Sequence, residues 1–330
     1  MNKYFLLTCI LLSTFLTSSA KIFIVSDAAN NVAWKTNLAN AGSGTFLQAV
    51  FDANLLAGKD TIVFALPSTT PIVGNDWDLA TVTDEILING ISTTDLLPIT
   101  ISARIVLNTN NSSIESLIFQ NTSTSVSLLG NSNTLKDCSI ITTATSGFSL
   151  NIAGTTNTVI NCPIQSAYSA ISIGGNTNTV SNCTINSTGA ASTAVVIGGD
   201  SNTLTDCPIQ TTGGGGNVTG TGNTFDNCDI SSAAIHSLIF TGNNNSALNS
   251  SYTTTGANQN SIWINGGTGS AIRSCTFTAS QVHAISIQNG GTHVVDDCTI
   301  TGISDNGIMV RGLGGNTISN SSISTSAING

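Results

Sequence analysis

Residues 200–210 read DSNTLTDCPIQ, and shifted copies recur as NSNTLKDCSI at 131–140, TTNTVINCPI at 155–164, NTNTVSNCTI at 176–185 and TGNTFDNCDI at 221–230. A phrase that returns at a near-constant period is the signature of a repeat architecture and takes precedence over any local reading. Anchored on Cys138, Cys162, Cys183, Cys207, Cys228, Cys275 and Cys298, the spacings are 24, 21, 24, 21, 47 and 23. Placing Ser251 at a missing anchor splits the long interval into 23 and 24; Ser321 extends the series by 23 and Leu117 precedes it by 21. Ten units of about 23 residues share one register.

Each column of that register has a chemical character. Two residues after the anchor stand Ile140, Ile164, Ile185, Ile209, Ile230, Thr253, Phe277, Ile300 and Ile323; three before it stand Leu135, Val159, Val180, Leu204, Phe225, Leu248, Ile272, Val295 and Ile318. About ten residues upstream runs a short alternating segment, as in AISIGG at 170–175 and AVVIGG at 194–199. Period-two alternation with β-branched residues reads as a strand with one buried face. Each unit therefore holds about three short strands, and it buries its apolar face only when stacked on a copy of itself. The fold expected is all-β: a single-stranded right-handed parallel β-helix, a solenoid of about 23 residues per coil, with matching residues one above another at the inter-strand spacing of about 4.8 Å.

The polar columns fit the same picture. Immediately before the anchor come Asp137, Asn161, Asn182, Asp206, Asn227, Ser250, Ser274, Asp297 and Asn320. The inward residues on either side are only three apart, so the chain bends there, and Asn and Asp tolerate the left-handed conformation of a tight bend. Five before the anchor lie Asn133, Asn157, Asn178, Asn202, Asn223, Ser246, Ser270, His293 and Asn316, an amide ladder in which each group donates to one neighbour and accepts from the other. The position between carries Thr134, Thr158, Thr179, Thr203, Thr224 and Thr317, with Ala247, Ala271 and Val294 interrupting. Ser and Leu substitute for Cys in the anchor column, so buried thiols acting as small hydrophobes are favoured over stacked disulfides. Ligands in one column all point the same way and do not surround an ion, so no metal is expected.

Charged residues make up only 8% of the 330, with eight Lys or Arg against 17 Asp or Glu. This acidic balance with scattered bases is a poor match for nucleic acid. At the N-terminus, Lys3, the apolar YFLLTCILLSTFL and the small residues Ser18 and Ala20 read as a secretory signal peptide over 1–20, cleaved after Ala20. Beyond it no apolar run approaches the roughly 20 residues of a membrane span. Residues 21–60 lack the phrase and read as a cap with an amphipathic helix: Thr45 and Gln48 have capping-box spacing, Leu47, Val50, Phe51 and Leu55 form the apolar stripe, and Gly58 follows as a stop. TIVF at 61–64 then opens the β-helix of 61–330.

The stretch GSGTFLQAVFDANLLAGKDTIVFALP, 42–67, resembles an N-terminal signature of secreted bacterial β-helix proteins written GSLRQAI…AN…G.DTI.F. Gly44, Leu47, Gln48, Ala49, Ala53, Asn54, Gly58, Asp60, Thr61, Ile62 and Phe64 carry the match, whereas Phe46 stands in place of the usual leucine. The repeats that follow are similar to those of pectate-lyase-like, right-handed β-helices. The resemblance implies a right-handed coil, a secreted or cell-surface location and an adhesin-like or autotransporter-passenger-like role. One activity is not implied, because the fold hosts lyases, hydrolases and binding proteins alike.

A polysaccharide lyase or glycosidase needs clustered titratable groups, the latter paired carboxylates about 5–9.5 Å apart. The best local cluster is His283, His293, Asp296, Asp297 and Arg311. Asp297 belongs to the turn column, His293 to the Asn ladder and Asp296 to a variable position, while His283 and Arg311 come from different coils, so no catalytic residue is assigned. GGGG at 213–216 lacks a P-loop lysine and reads as a flexible corner, and Trp34, Trp77 and Trp263 are isolated indoles. The function expected is a secreted or cell-surface scaffold with adhesin-like, non-catalytic binding to a glycan or protein surface and no cofactor. The alternatives are a polysaccharide lyase or glycoside hydrolase and, from the threonine column, an ice-binding protein. The last ten residues, SSISTSAING, stop where a strand should begin, so a partner, self-association or a continuing chain is expected at that end.

Overall fold

The computed structural model describes residues 20–28, 44–73, 79–278, 282–303, 305–312 and 314–325. The expected signal peptide, 1–20, falls almost wholly outside this range, as do Trp34, Trp77 and the last five residues. The described strands form three sheets of thirteen, eleven and eleven strands, all joined in parallel apart from one isolated antiparallel bridge, Ile91 to Pro98. Through the repeats, every strand pairs with the strand three places on in the chain, so each coil contributes one strand to each sheet. The molecule is a right-handed parallel β-helix.

Register is kept from coil to coil. In the first sheet Leu135, Val159, Val180, Leu204 and Phe225 lie directly over one another, and in the second Ile140, Ile164, Ile185, Ile209 and Ile230 do the same. These side chains and the cysteine column form one continuous core with almost no exposed surface. Each buried aliphatic contributes about 1.5–3 kcal/mol. The seven described cysteines are unbridged, and each points its Sγ at the carbonyl two residues back, as Cys162 does to Ile160 at 3.2 Å.

The bend before each anchor is left-handed as expected, with φ of 53° at Asp137, 56° at Asn161 and 52° at Asn182. The amide ladder runs unbroken through six asparagines: the backbone N–H of Asn133, Asn157, Asn178, Asn202 and Asn223 donates to the side-chain oxygen of the next asparagine at 2.8–2.9 Å. A second left-handed column, unread in the sequence, precedes this ladder at Ser132, Thr156, Thr177 and Ser201. A glycine column runs through Gly154, Gly175 and Gly199, where a Cβ would lie 1.8–2.0 Å from the carbonyl oxygen of the glycine one coil before.

One coil differs from the sequence reading by a single residue. Ser250, not Ser251, takes the vacant anchor position: it is buried and its Oγ accepts from Cys228 N–H at 2.9 Å. The intervals become 22 and 25, and every assignment in that coil moves with it. Tyr252 replaces Thr253 inside, Ala247 replaces Leu248, Asn249 replaces Ser250 in the turn with φ 50°, and Asn245 replaces Ser246 in the ladder. Adjacent serines left the register open, and a one-residue slip exchanges the two faces of a strand. The aromatic body of Tyr252 decides it by stacking on Phe277 at 5.3 Å, at the cost of a hydroxyl without a protein partner. A second correction concerns GGGG, of which only Gly213 lies at a corner: Gly214–Val218 is a strand of the third sheet, and a Cβ on Gly216 would lie 2.7 Å from Leu238 Cδ1.

At the N-terminal end, strand β1 (Ile22–Val25) precedes the expected first strand and pairs with β2 (Asp60–Phe64). Helix α1 (Phe46–Asn54) begins at Thr45, whose Oγ1 accepts from Gln48 N–H at 3.3 Å. It buries Phe46, Leu47, Ala49, Val50 and Ala53, with Phe46 stacked on Phe64 at 5.9 Å, whereas Leu55 is exposed. The helix ends at Asn54, ahead of Gly58, and the Asn54 amide bonds Thr81 O and Thr83 N at 2.8 Å. No described helix is long and apolar enough to cross a membrane.

The alternation between 24- and 21-residue coils has one location. The corner between the second and third sheets spans residues 143–147, 167–168, 188–192 and 212–213 in successive coils, long and short in turn, whereas the other corners keep their length.

Candidate functional site

Outside the second sheet runs a groove. Its floor is the outward column Ile141, Gln165, Asn186, Gln210, Ser231 and Thr253, held in register by the parallel ladder beneath. The main hollow, of about 570 Å³, is lined by Gln165, Asn186, Gln210 and Ser231 with threonines 188 and 212 at the corner. Two smaller hollows continue it along the same face, one past Ile141 and Pro163, the other past Pro208 and Asp229. Under its corner edge lies a column of buried hydroxyls, Thr142, Ser166, Ser187, Thr211, Ser232 and Thr254, some bonded to one another, as Thr142 is to Ser166 and Ser232 to Thr254 at 3.3 Å. Some also bond the corner backbone, as Ser166 Oγ does to Ser169 O at 3.0 Å and Ser232 Oγ to Ile235 O at 2.8 Å.

The groove is nearly free of charge. Among the described lining residues, Asp229 is the one ionisable group, and one of its oxygens accepts from Ser251 N–H at 3.0 Å. Stacked amides present both donors and acceptors. At the centre, Asn186 Oδ1 is buried without a protein hydrogen-bond partner, and an unmet acceptor of this kind costs about 1–3 kcal/mol. The arrangement suits a ligand rich in hydroxyls and lacking charge. Nothing in the sequence singled these residues out, because outward Gln, Asn and Ser look like ordinary surface; their inward neighbours carried the pattern.

The titratable candidates lie elsewhere, spread around the coil. His293 is fully buried in the Asn ladder, where its Nδ1 accepts from Ser270 N–H at 3.2 Å and burial lowers its pKa. Asp296 ends a strand of the first sheet, 3.2 Å from Arg273, and hydrogen bonds from Ser319 at 2.7 Å and Asn320 at 2.8 Å hold its carboxyl below the usual range. Asp297 is a turn residue with φ 53° that accepts from Ser274 Oγ. His283 sits at the corner before the third sheet, 3.7 Å from Asp305. Burial lowers the His283 pKa; the Asp305 carboxylate opposes that shift and the Arg311 charge adds to it. Arg311 follows a third-sheet strand, its N–H bonded to Ile287 O at 2.7 Å. His283 and Arg311 sense each other's charge; His293 and the two aspartates occupy other corners and another sheet. Among the described residues no group of three or more His, Cys, Asp or Glu is placed to hold a metal ion. In the threonine column, Thr134 to Thr224 stack in register on the first sheet, Ser246 rather than Ala247 follows, and Ala271 and Val294 break the series.

A family model described as "Right handed beta helix region" matches residues 169–323, just under half of the chain, and with the solenoid itself supports the β-helix family. No curated protein matches the sequence. Among solved structures, the chain is similar to the catalytic domain of a GH87 alpha-1,3-glucanase in complex with tetrasaccharides, at 16% identity and TM-score 0.50, covering 83% of this chain and 58% of that one. ORF18 of Geobacillus virus E2 aligns at 12% identity and TM-score 0.48 over 93% of this chain and 62% of the other. The Streptococcus pneumoniae surface protein and adhesin PfbA aligns at 10% identity and TM-score 0.41 over 78% and 85%. The chain thus spans about three fifths of the first two structures. At these identities the likeness is one of fold.

Proposed function

We propose that the chain is a glycan-binding β-helix that acts outside the cell or on its surface, holding an uncharged polysaccharide along the groove of the second sheet without chemistry on it. The observation that carries this reading is the Gln165–Asn186–Gln210 amide ladder in a groove whose lining has a single carboxylate and no base. Acidic polysaccharides would meet no Lys or Arg there. The leader-like residues 1–20 support an extracellular setting, and an adhesin-like role fits a binding face spread over several coils. Calorimetric titration with neutral and acidic oligosaccharides tests the proposal. Binding of a neutral glycan that Gln210→Ala weakens about tenfold, one to two lost hydrogen bonds, is expected. Equal or tighter binding of hexagalacturonate, or indifference to Gln210→Ala, overturns it.

A glycosidase reading draws on Asp229 at the groove margin. It requires a second carboxylate within about 9.5 Å, and none lines the described groove. New reducing ends from a neutral glucan, lost in Asp229→Asn, would establish it over the binding reading.

A further inference from the structure

Away from the groove floor, the corner between the second and third sheets carries a cluster that the groove does not use. His236 lies at this corner, Asn260 occupies the same corner one coil later, and Trp263 follows on the outward face of the third sheet between Ile239 and Ser286. The His236 and Trp263 rings pack with centroids 5.0 Å apart and planes at 57°. The backbone N–H of Asn260 donates to His236 Nδ1 at 2.8 Å, and the Asn260 carbonyl oxygen lies 3.2 Å from the same nitrogen; taking the shorter contact as the bond makes Nδ1 the acceptor and leaves the ring proton of the neutral imidazole on Nε2. Two polar atoms of the cluster are buried without a protein partner: Trp263 Nε1, a donor, and Asn260 Oδ1, an acceptor on a residue only 7% exposed. Buried polar groups in native proteins are normally paired, so two orphans of opposite kind in one cluster call for a partner. A hydroxyl both donates and accepts, so a hydroxyl-rich molecule offers a partner of the right kind to each atom. Trp263 itself is partly exposed on the outer face, and access of a ligand to Nε1 and Asn260 Oδ1 requires the indole to turn. His236 is shifted by burial and by the Asn260 backbone, and by no charged side chain among the described residues.

We propose that the His236–Asn260–Trp263 corner is a second saccharide site, separate from the groove, that takes one pyranose of a neutral glycan. The sugar's C–H face packs on the indole, its hydroxyls accept from Trp263 Nε1 and donate to Asn260 Oδ1, and His236 Nε2–H supplies a further donor. Aromatic rings with a polar handle suit a ligand that is apolar on its face and wet at its rim. None of the three side chains is charged while the imidazole is neutral, which suits uncharged sugars.

The full chain is titrated with maltohexaose, cellohexaose, laminarihexaose and xylohexaose, with hexagalacturonate as the charged comparison, while tryptophan emission and calorimetric stoichiometry are read. At least one neutral hexasaccharide should shift the emission to the blue. Trp263→Phe, which keeps Trp34 and Trp77, should abolish the shift and remove one binding event per chain. Asn260→Ala and His236→Ala should weaken that event tenfold or more with the far-ultraviolet spectrum unchanged. Gln210→Ala should leave the shift intact, so loss of groove binding alone counts against the groove and not against this site. A shift that survives Trp263→Phe, no shift with any neutral sugar, or an equal response to hexagalacturonate overturns the assignment.

Discussion

His293 shows how one substitution inside a ladder changes the chemistry of a column. It fills a slot that asparagine fills in six successive coils, accepts the same backbone N–H through Nδ1, and leaves Nε2 buried without a partner. Burial lowers its pKa from the ordinary 6.5, against a weaker opposing pull from the Asn289 backbone, and burial likewise leads for His236 and His283. The folded chain therefore takes up protons less readily than the unfolded one. Stability is level above pH 6.5 and declines as the pH falls from there towards the depressed folded values. Melting temperatures between pH 8 and 5 should trace this decline, and His293→Asn should flatten it and raise stability by about 1 kcal/mol as the orphan nitrogen disappears. A slope unchanged in His293→Asn would show that the other two histidines account for it. The cysteines give a second measurement. The Cys162 thiol and then burial push Cys183 up to about 12, and the Cys183 thiol does the same to Cys207, also to about 12. Thiolate is the reactive form and all seven thiols are buried, so the native column should stay silent to Ellman's reagent and react on unfolding, even at Cys298, which the Cys275 thiol shifts down. Prompt reaction of native protein would refute the buried column.

At the level of strands and corners, the coil repeat was readable because its inward positions are chemically narrow: aliphatic at Leu135 and Ile140, thiol at Cys138, amide at Asn133. Where these signals blurred, the reading slipped. Two adjacent serines and a tyrosine drawn inside displaced 245–253 by one residue, and a run of glycines looked like a loop although its strand lies too close to Ser237 O and Leu238 for Gly215 and Gly216 to carry a side chain. The groove was invisible for a different reason, since its floor is the face the core does not constrain. The glycine column was present in the quoted runs, yet its necessity is geometric: each Cβ would run into the carbonyl one coil below. Gly175→Ala places a methyl 1.8 Å from Gly154 O, and a loss of roughly 3 kcal/mol is expected in chemical denaturation. Gly174→Ala, one residue away with open space around its Cβ, is the matched control and should change little.

Taken whole, the molecule is nearly one-dimensional, each coil touching only those above and below it, so its stability is close to a sum over coils and their interfaces. Removing residues 158–202, one long and one short coil, joins Asn157 to Thr203 and restores every column. That shortened chain should keep a β-dominated far-ultraviolet spectrum and a single cooperative melt, and should lose groove binding with the excised Gln165 and Asn186. Removing 158–178 alone puts two long corners side by side; it should fold less stably than the two-coil deletion, and the reverse order in thermal melts would contradict the additive picture. The uneven corners reach further than stability. Because the bank of the groove is built of long corners at 143–147 and 188–192 and short ones at 167–168 and 212–213, its edge is crenellated in chain length with a period of two coils. On the proposed reading, a glycan advancing one sugar per coil of about 4.8 Å would meet the same parapet at every second sugar, which would favour chains built from alternating disaccharides, or branched at alternate residues, over a chain decorated on every unit.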